Sequence, residues 1–77
     1  MERKDYNGVR AARCGYNYSQ KEVADILGID VRTYQYKESG RGKWNNKEIA
    51  ALSNLFNFSI SEINRYFYDG ILPIGNE

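Results

Sequence analysis

Apolar positions recur along this chain at three- and four-residue intervals, and no stretch alternates on a two-residue period for long. That periodicity is the mark of amphipathic helices rather than half-buried strands. Tyr6, Val9, Ala12 and Arg13 share one face of a first helix over residues 5–14, and Gly15 in "GYN" supplies a stop. Gly8 sits inside that helix and weakens it by up to ~1 kcal/mol relative to alanine. Val23, Ala24, Ile26 and Leu27 form the inward face of a second helix. Ile49, Leu52, Leu55 and Phe56 do so for a fourth, and Ile63, Tyr66 and Phe67 for a fifth. Asn-Gly at 7–8 and Asp-Gly at 69–70 are hairpin dipeptides, but they lie beside helical patterns.

Start signals agree with the periodicity. Ser19-x-x-Glu22, Asn45-x-x-Glu48 and Ser59-x-x-Glu62 each read as a capping box. In such a box the first side chain accepts from a free amide and the glutamate reaches back to the cap. Gly28 closes the second helix, Asp30 caps a third that runs to about Glu38, and Gly40 ends it. The expected fold is all-α, a compact bundle of five short helices. With no repeat, low-complexity tract or linker, residues 1–77 read as one domain: a bundle over about 5–68 and an apolar tail, 69–77.

The third helix breaks the pattern. In "DVRTYQYKE" the polar residues Arg32, Thr33, Gln35, Tyr36 and Lys37 stand where a buried helix would carry leucines. Only Tyr34, helped by the aliphatic stem of Lys37, need face the core, with the Lys37 ammonium outside.

Composition narrows what such a surface can do. The chain has 77 residues, one cysteine and no histidine. A domain of this size buries only ~60% of its unfolded surface, so its core is compact or is completed by a partner. Without histidine or a second cysteine there is no internal zinc site and no Cys/His or Ser/His pair; no metal, cofactor or enzymatic activity is expected. Cys14 reads as a small packed thiol. No apolar run approaches the ~20 residues of a membrane span, and the N-terminus lacks a signal peptide's apolar stretch, so a soluble cytoplasmic protein is expected. Net charge is +1, but it is unevenly spread. Residues 1–47 carry ten Lys/Arg against six Asp/Glu, and residues 48–77 carry one against four. Such segregation is an electrostatic footprint on one side of the molecule.

Two helices joined by "LGID", the first capped and apolar-faced and the second polar, have the layout of a helix-turn-helix. The first can set its N-terminal amides and positive dipole end against a phosphate. Ala24 is small where the helices cross, and Gly28 takes the tight turn. The second then projects polar, planar and methyl-bearing side chains into a major groove.

Three segments in order resemble one family. "SQKEVADILGID" is close to T-Q-x-x-L-A-x-x-L-G-I-S, "TYQYKESGRGKW" to T-Y-x-x-K-E-x-G-[KR]-x-x-[FW], and "FNFSISEINRYF" to L-G-V-S-x-x-E-I-x-x-F-F. The chain resembles the Cro/repressor-type (XRE-like) DNA-binding domains over about residues 5–68, most closely the short regulators of phages and prophages of Gram-positive bacteria. The resemblance implies a lambda-repressor-like five-helix fold and a transcriptional regulator that binds double-stranded DNA. It implies that Gln20 contacts a phosphate or a nearby base. Asp30, Val31, Arg32, Gln35 and Tyr36 would face the groove, Ser39 would end that face, and Arg41 and Lys43 would touch backbone. By their chemistry Arg32 suits guanine, Gln35 adenine and Val31 a thymine methyl, whereas Asp30 fits better as the cap. Arg13 and Glu38 match a pair that joins helix one to the end of the recognition helix and orients it. Lys37 departs from the aromatic or leucine found in many relatives.

Tyr34 and Trp44 read as core, the latter stapling the loop to the fourth helix. In the tail, Tyr66, Tyr68, Ile71, Leu72 and Ile74 are candidates for a two-fold interface, so a homodimer on a palindromic operator is expected. No sensor domain follows, so control by concentration or by a partner protein is expected rather than by a small inducer. Two other uses of the same fold stay open: the antitoxin of a toxin–antitoxin pair, and a protein-interaction or antirepressor module that does not bind DNA.

Overall fold

The computed structural model describes residues 7–68. Five α-helices follow one another: α1 (Asn7–Gly15), α2 (Gln20–Leu27), α3 (Val31–Glu38), α4 (Asn46–Phe56) and α5 (Ile60–Phe67). There are no strands among the described residues, and the fold is an all-α bundle containing a helix-turn-helix. The expected roles of Tyr6, Ile71, Leu72 and Ile74 fall outside the described residues.

Each of the three capping boxes is formed in both directions. Ser19 accepts from the Glu22 amide at 3.0 Å, and the Ser19 amide donates to the Glu22 carboxylate at 2.7 Å. Asn45 with Glu48 and Ser59 with Glu62 repeat the arrangement. Asp30 caps α3 by accepting from the Arg32 amide at 2.9 Å. The turn between α2 and α3 is closed by Gly28 at φ 74°, a left-handed conformation open to glycine without a Cβ penalty. After α1 the left-handed residue is Asn17 at φ 64°, not Gly15, which remains helical. Among residues other than glycine, asparagine enters that region most readily.

Val9, Val23, Ala24, Tyr34, Ile49, Leu52, Phe56 and Phe67 make the buried core. Trp44 packs edge-on to both Tyr34 and Phe67, at centroid distances of 5.6 and 6.4 Å, and so fastens the loop between α3 and α4 to the core. Gly8 has a packing role that periodicity did not reveal. The ring of Tyr66 lies directly over it, leaving no room for a Cβ, so the glycine is what lets α5 approach α1.

Three expectations about side chains change. Ile26 is 50% exposed. It lies at the edge of the inward stripe set by Val23, Ala24 and Leu27, and lines a cleft with Ile29 and Ala51. Cys14 is exposed rather than packed, because it lies on the outer side of α1 from Val9. Lys37 does lie along the core edge, but its ammonium is not outside: it donates to both Glu48 oxygens, at 2.6 and 2.7 Å. It also sits 6.0 Å from the Trp44 ring centre.

Candidate nucleic-acid interface

The geometry of α3 separates two sets of side chains. Tyr34 and Glu38, one turn apart, are buried toward α1. Arg32, Thr33, Gln35 and Tyr36 are exposed on the other side. Val31 lies between the two sets, partly buried against the core, so only part of its side chain is free to meet a base methyl.

Arg13 and Glu38 form a close ion pair between α1 and the last residue of α3. Arg13 Nε donates to Glu38 Oε2 at 2.8 Å and Nη2 to Oε1 at 3.3 Å, while Nη1 donates to the Tyr18 carbonyl at 3.0 Å. A carboxylate at a helix C-terminus opposes the dipole, and the guanidinium offsets that cost. Two further donors reach the same carboxylate: the Tyr34 hydroxyl to Oε2 at 2.6 Å and Gln20 Nε2 to Oε1 at 2.9 Å. Burial on its own would raise the Glu38 pKa. The hydrogen bonds from Arg13, Tyr34 and Gln20 outweigh it and hold the carboxyl below its ordinary value. The same pair raises the Arg13 pKa, chiefly through the hydrogen bond to Glu38. Burial, with Glu38 alongside, pushes the Tyr34 phenol up, so its hydroxyl stays a donor.

Gln20 is half-buried at the start of α2 and is held from both sides. Besides donating to Glu38, it accepts at Oε1 from Gln35 Nε2 at 3.0 Å. Gln35 is therefore tied inward through one N–H. Tyr36 is 54% exposed, and its ring covers Gly42, where a Cβ would meet it. The Tyr36 carbonyl accepts from the Arg41 and Gly42 amides, each at 3.2 Å, and from Ser39 Oγ at 2.7 Å. These bonds fold the basic loop against the end of α3, with Arg41 and Lys43 both exposed. Asp30 is exposed at the cap, its carboxylate engaged with the backbone.

Exposed Gln35 is thus bonded to the start of α2, and exposed Tyr36 is packed on the loop that carries Arg41 and Lys43. Tyr66 packs on Phe58 at a centroid distance of 5.0 Å, and the Tyr68 hydroxyl donates to Asn46 Oδ1 at 3.4 Å. Both tyrosines are partly buried inside the bundle itself.

A family model described as helix-turn-helix matches residues 9–63. The chain belongs to the XRE-type helix-turn-helix family. No curated protein and no solved structure matches the chain. The match runs from the first core residue of α1, Val9, to Ile63 in α5, and so takes in the whole α2–turn–α3 unit. This helix-turn-helix protein is a DNA-binding regulator, and DNA is its partner. Among its described residues no helix is long and apolar enough to cross a membrane.

Sequence reasoning missed several connections in this XRE-type domain. The Tyr34–Glu38 bond had a local signal, the i, i+4 spacing on one helix face. The Gln20–Gln35 and Lys37–Glu48 bonds had none, since each joins residues on different helices.

Proposed function

We propose that this protein is a sequence-specific transcriptional regulator that reads double-stranded DNA with α3, placing Arg32 and Gln35 against base edges in the major groove. The observation that carries this is the division of α3: Tyr34 and Glu38 are buried as anchors while Arg32, Gln35 and Tyr36 are exposed beside Arg41 and Lys43. Because the exposed side chains of α3 form no part of the buried core, the helix can enter a groove ~12 Å wide without disturbing it. Arg32 suits a guanine and Gln35 an adenine, while Val31 offers part of a methyl surface to thymine. Gln20, Tyr36, Ser39, Arg41 and Lys43 touch backbone in this reading, and Asp30 serves as cap.

The regulator works as a homodimer on a palindromic operator. Two copies related by a two-fold axis set their recognition helices about one turn, ~34 Å, apart, so half-site centres lie ~10 bp from each other. The apolar residues at the C-terminal end of the chain, with what remains exposed of Tyr66 and Tyr68, support this pairing. The resemblance to short phage and prophage regulators supports a repressor role.

Selection of bound sequences from random duplex DNA, followed by footprinting, tests the reading. A two-fold symmetric site with half-sites ~10 bp apart is expected. Binding with no preference over bulk DNA, even at low salt, overturns it.

A further inference from the structure

We propose that Glu38, buried and out of reach of DNA, is a positioning residue that fixes which way round the Gln35 amide faces the groove, acting through Gln20. The inference rests on the reading of α3 as the groove helix and adds to it a cause for the polarity of one base contact.

A glutamine amide has two orientations that differ only by exchange of oxygen and nitrogen, and its hydrogen-bond partners decide between them. An ionised carboxylate accepts and never donates. Glu38 is only 7% exposed and takes four donors: Arg13 Nε, Arg13 Nη2, the Tyr34 hydroxyl and Gln20 Nε2. Gln20 must therefore turn its nitrogen toward Glu38. Its oxygen then faces outward and can only accept, and what it accepts is Gln35 Nε2 at 3.0 Å. The choice made at the buried carboxylate passes along two amides to the surface.

At the surface the result is a defined pair. Gln35 spends one N–H on Gln20, leaving its second N–H and its Oε1 on the exposed side of α3. With nitrogen held inward, the oxygen can take only a donor, and the remaining N–H only an acceptor. Adenine offers N6–H₂ and N7 in that combination, whereas guanine offers two acceptors, O6 and N7, and would set oxygen against oxygen. A glutamine free to turn over would meet adenine in the unproductive orientation part of the time, which weakens the preferred contact. The relay also fixes the side chain before DNA arrives, so less rotamer freedom is lost on binding.

Two measurements separate the relay from the groove reading beneath it. The first uses free protein. Gln20→Met keeps an unbranched side chain of similar length, removes the amide, and leaves Arg13, Tyr34 and Glu38 bonded to one another. In ¹H–¹⁵N spectra the Gln35 side-chain amide pair should move to the position of a solvent-exposed glutamine, with the backbone signals of α3 unmoved. A Gln35 amide pair unchanged by Gln20→Met overturns the relay. In the wild-type protein, acid titration should shift the Gln20 and Gln35 amides with the same midpoint as the Glu38 carboxyl carbon. Amides that hold still through that midpoint overturn the role of Glu38.

The second measurement selects from random duplexes with wild type, Gln35→Ala and Gln20→Met. Gln35→Ala should flatten the adenine preference at one position of each half-site. Gln20→Met should reduce that same preference about tenfold, leaving the preference at the Arg32 position as it was. If Gln35→Ala relaxes the position and Gln20→Met does not, the relay fails and the groove reading stands. Equal weakening of all sequences by Gln20→Met makes Gln20 a phosphate contact alone and also overturns the relay. If Gln35→Ala changes no preference, the groove reading itself fails, and the specificity role of Glu38 with it.

Discussion

Tyr34 donates its hydroxyl to Glu38 from one helical turn away, at 2.6 Å, inside the core. Helix α3 is therefore fastened by a phenol and a carboxylate on its own inner face, and the Arg13 guanidinium locks that carboxylate to α1. Removing only the phenol oxygen tests the fastening. Tyr34→Phe keeps the ring against Trp44 but deprives the carboxylate of a donor. Urea unfolding should show a loss of about 2 kcal/mol, the usual worth of a hydrogen bond to a charged group.

Acid should weaken the same junction. Glu38 titrates below its ordinary value in the folded protein, so its contribution is complete above the unfolded value of ~4.3. That contribution is lost as pH falls through the lower folded value, where the native carboxylate must take up a proton. Glu38→Gln should be less stable than wild type by about 3 kcal/mol at pH 7, since it leaves the Arg13 charge buried and uncompensated. The gap should narrow steadily below pH ~4. Unfolding curves for both proteins across that range check the sign.

Gly8→Ala sets two effects against each other. Helix propensity alone predicts a gain approaching ~1 kcal/mol in α1. The Tyr66 ring occupies the place of the new methyl, and overpacking of this kind costs about 1–3 kcal/mol. The steric term should win, giving a net loss in thermal unfolding. Combined with Tyr66→Ala, the same substitution should become neutral or favourable.

Lys37→Met should separate stability from recognition. It strands Glu48, whose side chain is 6% exposed, without the ammonium that now bonds both its oxygens. The Asn45 amide still donates to Glu48, so the loss should be about 2–3 kcal/mol, at or just under the low end for breaking a buried pair. The base preferences recovered from random duplexes should match those of wild type.

Arg32→Ala and Lys43→Ala should part in the opposite way, with unfolding midpoints close to wild type for both. Arg32→Ala should relax one position of each half-site, at a cost of about 1–3 kcal/mol for the preferred base. Lys43→Ala should weaken all sequences alike and reduce the salt dependence of binding by about one counterion. Titrations against matched and scrambled duplexes at two salt concentrations distinguish the pair.

What the sequence made legible was local. Ser19, Asn45 and Ser59 announce their helices because a capping box is contained in four consecutive residues. Gly28 marks its turn because a left-handed residue between two helices favours a missing Cβ. Arg13 with Glu38 was legible through the family resemblance. Less readable was anything set by two helices meeting. Ile26 obeys the helical period yet lies at the rim of the stripe, and Cys14 is apolar enough for a core but points outward. Lys37 departs from the relatives' apolar residue, and only the fold shows that Glu48, already half of a capping box, is its partner. For the site, residue types on α3 were legible, while the bonds that orient them depend on Gln20 being brought over from α2.

The division of α3 also bears on how such a regulator can change its target over generations. Positions 32, 33 and 36 contribute no side-chain bond to the Glu38 anchor. On the proposed reading they can be exchanged with the Glu38 anchor left in place, so a new operator can be acquired by a few substitutions there. Position 35 is the exception, because its partner on α2 must change with it. Lineages that keep glutamine at 20 should therefore drift freely at 32 and 36 and slowly at 35, and their operators should diverge in the same order.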